Sequence, residues 1–374
     1  MPEPGQGPLS GLRVLEFAAL GAAPYSGMIL ADMGADVVRI DRPGPDLKSQ
    51  LIPDPRADLM SRDRRSIVID LKTTAGVALA LDLVAKADAL IEGLRPGVME
   101  RIGLGPEECL SRNPHLVYGR VTGWGRTGPL AESAGHDINF VALSGVLHMI
   151  GERGGPPIPP LNVAGDFAGG GMMLAFGILA ALYERERSGQ GQVVDAAMVD
   201  GAALLATFAH GLTAVGRWQD ERGTNLLDGG AHFYRCYECS DGRYISVGPL
   251  EPEYYAQFLQ RAGLEAEDWP QYDPARWPEL ARRLAEVMRT RSQAEWCRIF
   301  ADSDACVAPV LSLSEATLHP HNVARGIFTK QDGIMQPIPT PAFSRSVTRL
   351  RSPPLRNDAD RHTVVQDWCV DTAR

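Results

Sequence analysis

The feature that most constrains the fold is an alternation of short apolar runs with helical patterns along the first third of the chain. Helical patterns at 24–35 and 73–87 carry a proline near the first turn and a threonine at the start, respectively. Apolar runs typical of strands are found at 12–17, 36–41, 65–71, 88–94 and 115–123. This order predicts an α/β fold with a mostly parallel sheet and helices on both faces.

The second half of the chain is predicted to add a long helix and then a smaller α+β unit. The helix is expected at 167–187, and a strand and turn follow in GQVVDAAMVDG. After a polar connection, strands are predicted in FYRCYEC and RYISVGPL, with helices near 253–262, 277–289 and 292–301. The Pro- and Arg-rich tail is predicted to be extended and to run back over the first domain.

Charge and cysteine content exclude several classes of protein. The net charge of −9 argues against nucleic acid or an anionic membrane surface as the main partner. The six cysteines show no disulfide-framework spacing, which indicates a reducing, cytoplasmic compartment, and CYEC lacks a second ligand pair for zinc. We expect no signal peptide and no membrane span, because the most apolar stretch, 172–189, becomes charged too early.

A histidine and an aspartate stand together in AGHDINF, just before an apolar run. Asp137 or Asn139 could cap a helix there, leaving backbone N–H groups free at its start. Such donors bind an anion, and they disfavour a charged imidazole, so that His136 could accept a proton. The alternative is an exposed or capping histidine without a catalytic role.

Asp166 is the second candidate, in NVAGDFAGGGMML. It could simply cap a helix. Glycine within a helix costs about 1 kcal/mol relative to alanine, so the three glycines at 169–171 indicate that something approaches this helix closely. That neighbour could be another helix or a ligand. In the second case the Asp166 carboxylate would be a candidate base or nucleophile.

Two further sets of charged residues are candidates. Glu238, at the end of a predicted strand, could be an exposed residue or could fix the tautomer of a catalytic imidazole. Basic residues concentrate near the ends of the predicted parallel strands, where ligands usually bind. They suit a phosphate-bearing ligand, although surface arginines are often only solvated: Arg39, Arg42, Arg62, Arg64, Arg65, Lys72 and Arg95.

Long segments resemble the family III CoA-transferases, the CaiB/BaiF superfamily, and within it most closely the α-methylacyl-CoA racemase branch. They include MILADMGADVVRIDRPG, LIEGLRPGVMERIGLGPEEC, AGHDINFVALSGVLHMIG and NLLDGGAHFYRCYECSDGRYISVG. The resemblance implies a Rossmann-like large domain, a smaller domain and an interlocked homodimer whose active sites lie between the large domain of one subunit and the small domain of the other. We expect a large domain at 1–205 and 330–374, a linker at 206–228 and a small domain at 229–329.

The resemblance also implies the site residues. His136 and Asp166 match the acid/base pair of the racemases, and Glu238 matches a glutamate proposed to assist the histidine. We expect CoA or substrate to contact Arg42, Ile69, Asp70, Leu71, Lys72, Gly135, Asp137, Ile138, Asn139 and Phe140, with Arg95 as a further basic candidate. One departure is LGAAPYSG, which replaces the PGP common after the first strand.

The reaction implied is the interconversion of 2-methylacyl-CoA epimers, with the acyl-CoA as substrate, a second copy as partner and no cofactor. The rival interpretation within the family is a CoA-transferase in which Asp166 attacks a thioester as a nucleophile. That chemistry does not need His136. A non-catalytic acyl-CoA-binding protein is another alternative. A nicotinamide oxidoreductase is disfavoured because the turn after the first strand is not GxGxxG.

Overall fold

The computed structural model describes residues 7–44, 51–348, 350–354 and 358–370. Its main sheet confirms the predicted α/β class, because six parallel strands are hydrogen-bonded in the order β3-β2-β1-β4-β5-β6. This is a Rossmann-type order that reverses between β1 and β4. The strands overlap the predicted apolar runs and are β1 (Arg13–Phe17), β2 (Asp36–Asp41), β3 (Arg64–Val68), β4 (Ala89–Glu92), β5 (Val117–Thr122) and β6 (Val193–Ala197).

Helices connect these strands on both faces of the sheet. Thr73 begins α2, where its hydroxyl accepts a hydrogen bond from the N–H of Gly76 at 3.0 Å. The helices up to the end of the main sheet are α1 (Ala22–Asp32), α2 (Thr74–Val84), α3 (Val98–Arg101), α4 (Pro106–Arg112), α5 (Asp137–Leu143) and α6 (Met173–Ser188), and α7 (Met198–Leu205) follows β6.

The chain divides into two compact units. The first comprises Met1–Ser144, Leu161–Leu205 and Arg325–Arg374. The second comprises Gly145–Pro160 and Ala206–Ala324. Residues 145–160 and the predicted linker at 206–228 thus belong with the second unit.

The core of the first unit lies on both faces of the sheet, because successive strand residues point to opposite sides. Leu15 and Val38 pack on one face, and their neighbours Val14 and Val37 pack on the other. Charged groups are also buried here in pairs. The Arg64 guanidinium contacts the Glu16 carboxylate at 2.8 Å, and both side chains are almost fully buried.

The C-terminal tail, PIPTPAFSRSVTRLRSPPLRNDADRH, returns to the first unit, where the Arg351 N–H donates to the Asp63 carboxylate at 2.9 Å. Before it, strands β10 (Phe328–Gln331) and β11 (Ile334–Pro337) form an antiparallel hairpin, and helix α14 (Arg361–Asp367) lies near the chain end. Neither element is among those expected from the sequence. Val364 and Trp368 are fully buried in the core, because apolar side chains at a spacing of four lie on one face of a helix.

The second unit contains a small antiparallel sheet and an aromatic core. Its strands are β7 (Arg235–Glu238), β8 (Tyr244–Val247) and β9 (Val307–Pro309), hydrogen-bonded in that order. Fully buried His232 hydrogen-bonds the Tyr255 hydroxyl at 2.6 Å, and burial lowers the pKa of this imidazole to about 4. The helices are α8 (Thr207–Ala214), α9 (Pro252–Ala262), α10 (Trp277–Met288), α11 (Gln293–Phe300), α12 (Leu313–Ala316) and α13 (Pro320–Arg325, whose last residue belongs to the first unit).

One helical stretch in the described part of the chain, Val163–Ser188, is long and apolar enough to cross a membrane, judged by length and composition alone. The argument from the sequence against a membrane span considered only the apolar stretch that begins at Met172. The helical backbone begins earlier, as a π-helical segment at Val163–Met172 that continues into α6. Leu174 and Ile178 on α6 are fully buried in the core against the sheet, which is the packing of a core helix.

Candidate active site

The loop before α5 is fixed by hydrogen bonds within AGHDINF. His136 is the residue preceding α5 and has an extended backbone. Its N–H donates to the Asn139 side-chain oxygen at 3.0 Å, and its carbonyl accepts from the Asn139 N–H at 2.8 Å. Of the two candidate capping residues, Asn139 therefore makes this contact. The imidazole of His136 belongs to an exposed residue.

Aromatic packing anchors both ends of this loop. Phe140 is buried and meets Trp124 edge-to-face, with ring centroids 4.7 Å apart. A Cβ on Gly135 would lie 2.6 Å from the Phe140 ring, and a Cβ on Gly123 would lie 2.1 Å from it. Gly135 and Phe140 thus hold the loop in place. Their predicted contact with CoA or substrate stays a prediction, as it does for Asn139 and for Ile138, which is 44% exposed.

Asp166 lies directly beside the start of α5. Its backbone N–H donates to the Asp137 carboxylate at 2.7 Å, and its own carboxylate accepts from the Asn162 side chain at 3.2 Å. Burial raises the pKa of Asp166, and the nearby Asp137 carboxylate raises it further. The Asn162 hydrogen bond and the charge of His136 lower it. The two residues predicted to form the acid/base pair therefore lie close together in the structure.

The turn after β1 also reaches Asp166. Gly21 has a positive φ of 71°, and a Cβ there would lie 2.8 Å from the Asp166 carboxylate. Only glycine combines this backbone conformation with so close an approach. The segment LGAAPYSG, which departs from the PGP common after the first strand, thus lies beside the candidate catalytic residue Asp166.

The three glycines after Asp166 serve helix packing. A Cβ on Gly169 would lie 2.8 Å from the backbone of Ala202 on α7. A Cβ on Gly171 would lie 2.8 Å from the carbonyl oxygen of Ala22 on α1. The sequence left open whether a helix or a ligand approaches these glycines. The close neighbours are helices.

The start of α5 offers donors for an anion, although the helix has only seven residues. The first N–H groups of any helix lack partners within the helix, so those of Asp137 and Ile138 are free to bind an oxygen. The macrodipole of so short a helix adds little. The directed N–H groups are therefore the stronger part of the anion-binding hypothesis.

A second feature of the first unit is a pocket of about 660 Å³ at the carboxyl ends of β1, β2 and β3. Ligands of such sheets bind at this edge. Leu20, Pro43, Leu94 and Ile102 supply apolar walls. Of the predicted CoA-contacting residues, the structure brings together in its lining Arg42, Ile69, Asp70, Leu71 and Lys72.

Most of the other basic residues serve the fold, which corrects the broad phosphate-binding hypothesis. Arg62 pairs with Asp32 in the interior, and Arg65 pairs with Asp36. Arg64 is buried against Glu16 as described above. Charges compensated in this way are poor phosphate ligands because they would first have to leave a buried partner.

Two basic residues remain beside the pocket. Arg39 lines it but contacts the Asp41 carboxylate at 3.0 Å. Arg95 is exposed in the turn after β4 and is not among the described residues that line the pocket, although its neighbour Leu94 is. Arg42 and Lys72 are thus the better candidates, and a role for Arg95 stays a prediction.

Glu238 lies in the second unit, at the end of β7. Its carboxylate accepts from the Arg289 guanidinium at 2.9 and 3.2 Å, and both side chains are well exposed. The two residues line a pocket of about 610 Å³ with Tyr244 and Trp277. The predicted assistance of the histidine by Glu238 stays a prediction.

Potential metal ligands are dispersed in the described part of the chain. No group of three or more His, Cys, Asp or Glu side chains suited to a metal ion occurs within the described ranges. All six cysteines are free. In CYEC, Cys236 is exposed and Cys239 is buried, so the two thiols face different surroundings.

Comparisons with known proteins identify the family of the chain. A family model described as CoA-transferase family III matches residues 9–359. The chain belongs to this family. It is 46% identical over 340 residues to the alpha-methylacyl-CoA racemase of Mus musculus, covering 90% of this chain and 87% of that protein. It is 44% identical over 337 residues to the alpha-methylacyl-CoA racemase of Homo sapiens, covering 89% and 86%.

Solved structures of the family share the fold. A CAIB/BAIF family protein from Brucella suis superposes with a TM-score of 0.83 at 26% sequence identity, covering 97% of this chain and 100% of that chain. The resemblance to the family III CoA-transferases drawn from the sequence is confirmed.

Sequence reasoning missed two residues that shape the site of this family III protein. Gly21 leaves room for the Asp166 carboxylate, and Asn162 donates to it. The glycine directly after a strand was a usable signal, since a positive φ is common in such turns. Nothing in the sequence links Asn162 to Asp166 beyond a spacing of four residues, which places side chains on one helical face.

Proposed function

We propose that this family III protein is an α-methylacyl-CoA racemase, an isomerase that interconverts (R)- and (S)-2-methylacyl-CoA thioesters. The observation that carries the proposal is the hydrogen bond of 2.7 Å from the Asp166 N–H to the carboxylate of Asp137, the residue next to His136. It joins the start of α5, next to His136, to the π-helical segment that carries the Asp166 carboxylate. The names of the mouse and human relatives support the same activity.

The reaction needs two acid/base groups. His136 takes the α-proton from one epimer, by resemblance the (S) epimer, and leaves an enolate. Asp166, protonated, gives its proton to the opposite face of Cα and produces the other epimer. The enzyme then holds a protonated His136 and an ionised Asp166, which is the state that runs the reverse direction. A raised pKa suits Asp166 because this residue must carry a proton in one half of the cycle.

The α-hydrogen of a thioester is weakly acidic, so the enolate oxygen must be stabilised. The N–H groups at the start of α5, beginning with Asp137, are the donors we propose for it. General acid–base catalysis contributes about 10²- to 10⁴-fold, and directed N–H donors contribute a comparable factor. No step in this scheme calls on a metal or a redox cofactor.

The CoA portion of the substrate is proposed to bind in the pocket at the ends of β1, β2 and β3. Its lining combines apolar surface from Leu20, Ile69 and Leu94 with the cations Arg42 and Lys72. An adenine ring needs apolar walls, and phosphate groups need arginine or lysine. These residue types are present together in the pocket.

The proposal extends to an interlocked homodimer in the cytoplasm, with a large and a small domain in each subunit. On α6, Phe176 is 69% exposed and Tyr183 is 71% exposed, and their spacing places them on one face. Exposed apolar faces of this kind are common at subunit contacts. The six free cysteines suit a reducing compartment. Sedimentation equilibrium tests the dimer, and a monomeric mass would contradict it.

Proton exchange in D₂O tests the proposed activity. A single epimer of a 2-methylacyl-CoA is incubated with the protein and followed by ¹H NMR. We expect the α-proton signal to disappear, the methyl doublet to collapse and both epimers to accumulate. Absence of exchange, with CoA passing to an added carboxylic acid, would instead identify a CoA-transferase that uses Asp166 as nucleophile. Binding without either reaction would identify an acyl-CoA-binding protein.

A further inference from the structure

The Asp137 side chain is placed where neither capping nor packing accounts for it. Asn139, and not Asp137, makes the capping contact at the start of α5. Asp137 is only 7% exposed, and one of its carboxylate oxygens accepts the Asp166 N–H at 2.7 Å. The other oxygen is buried without a hydrogen-bond partner. A buried carboxylate with an unsatisfied oxygen is unfavourable for folding, so its presence calls for another explanation.

A glycine in the neighbouring backbone allows the Asp137 carboxylate to lie this close to the segment that carries Asp166. A Cβ on Gly165 would lie 2.4 Å from the bonded Asp137 oxygen, so the glycine allows the two segments to meet. Asp166 follows Gly165 directly, and His136 precedes Asp137 directly. One side chain therefore joins the two segments that carry the proposed acid/base pair.

The charges around Asp166 are few. From the α5 segment, Asp137 and His136 face it with opposite effects. From its own segment, the neutral Asn162 donates to it. From the turn before α1, Gly21 contributes only backbone. Asp137 is therefore the negative charge that disfavours ionisation of Asp166 within the described residues.

We propose that Asp137 is a positioning residue for the proton transfer, which fixes Asp166 relative to His136 and holds a negative charge against the Asp166 carboxyl group. The proposal rests on the racemase function proposed above. The hydrogen bond that Asp137 accepts sets the geometry, and the charge of Asp137 keeps Asp166 able to carry a proton. Asp137 would act through Asp166 and its own side chain would not touch the substrate.

Two substitutions separate the two effects. Asp137→Asn keeps an oxygen that can accept the Asp166 N–H but removes the charge. Asp137→Ala removes both, and a displacement of a catalytic group by about 1 Å costs about 10²-fold in rate. We expect Asp137→Ala to lose about 10²-fold in kcat with little change in KM, and Asp137→Asn to recover most of that loss. Equal activity of the two variants would overturn the positioning role.

The pH profile tests the charge. Either direction of the reaction needs one proton on the pair, so the acid limb of kcat/KM reports the addition of a second proton. A nearby negative charge favours that addition. The Asp137→Asn variant lacks this negative charge, so its acid limb of kcat/KM should lie at lower pH. Asp82→Asn, which removes a carboxylate paired with Arg112 elsewhere in the first unit, is the matched control and should leave the limb unmoved.

A titration that needs no activity completes the test. Protein carrying ¹³Cγ-labelled aspartate is followed by NMR, with the Asp166 resonance assigned from Asp166→Asn. The Asp166 midpoint should lie lower in Asp137→Asn than in the wild type, and an unchanged midpoint would overturn the inference. If the wild type exchanges no α-proton but the midpoint still moves, the electrostatic coupling stands and the racemase function fails.

Discussion

The two candidate binding regions of the first unit are built in different ways. Around Asp166, backbone segments meet so closely that Gly21 and Gly165 could not carry a Cβ without displacing a carboxylate. The pocket at the ends of β1, β2 and β3 is instead formed by side chains around an opening of about 660 Å³. The first region fixes positions through the backbone. The second provides surface and charge that a ligand can adapt to.

The two regions also differ in the charges that they contain. Asp166 is partly buried beside another carboxylate, and its pKa is raised by burial and by that charge. Arg42 and Lys72 contribute cations to the pocket lining from loop positions, while Arg39 in the same lining is compensated by Asp41. We therefore expect the region around Asp166 to lose activity on small structural changes. In the pocket, each substitution of a lining residue should instead lower the binding affinity by a limited amount.

The sharpest way to break the comparison is to remove the acid/base groups themselves. His136→Ala and Asp166→Asn should each lower the rate of epimerisation by about 10²- to 10⁴-fold, the range that a general acid or base contributes. CoA affinity, measured by calorimetry, should stay close to that of the wild type because the pocket lining is untouched. His115→Ala, an exposed histidine before β5, is the matched control. Full epimerisation activity in either variant would exclude the two-base scheme.

A smaller effect is expected from a single methyl group beside Asp166. Gly21→Ala places a Cβ 2.8 Å from the Asp166 carboxylate, and we expect kcat to fall about 10²-fold through displacement of that group. Gly11→Ala is the control, since Gly11 also has a positive φ, of 93°, but a Cβ there would meet no heavy atom within 4 Å. Both variants should lose about 1–3 kcal/mol of stability, because both positions have a positive φ that a residue with a Cβ adopts only under strain.

Thermal unfolding and kcat together separate strain from displacement in these glycine variants. If both variants lose stability and only Gly21→Ala loses activity, the close approach to Asp166 is responsible. Equal activity of the two variants would show that the catalytic region tolerates a shift of its carboxylate. The contrast with the pocket would then be wrong.

The sheet could be predicted from the sequence because buried parallel strands are short apolar runs with helical patterns between them. The elements on either side of the tail were missed. Asp332-Gly333 was a usable signal for the β10–β11 hairpin, since both residues have the positive φ that such a turn requires, whereas α14 is short. Val364 and Trp368 share one apolar face only once the seven-residue helix α14 has formed. That helix is stabilised by packing against a core that other parts of the chain provide.

The candidate site shows the same division. His136 and Asp166 could be named because each stands in a local pattern of caps, glycines and apolar runs. The buried pairing of Arg62 and Arg64 could not be predicted, because their partners Asp32 and Glu16 are distant in sequence. Local patterns therefore suggested candidate acid/base residues, and tertiary packing decided which charged side chains are available to a ligand.

The smallest effect should come from the pocket and should appear in binding alone. Arg42→Ala removes one cation from the lining, and a hydrogen bond to a charged group contributes about 1.5–3 kcal/mol, so KM for the acyl-CoA should rise about 10- to 100-fold. The value of kcat should change little, because Arg42 would bind ground state and transition state equally. Arg298→Ala, an exposed arginine on α11, is the matched control and should leave KM unchanged. A fall in kcat with an unchanged KM would place Arg42 with the catalytic region and end the distinction between the two.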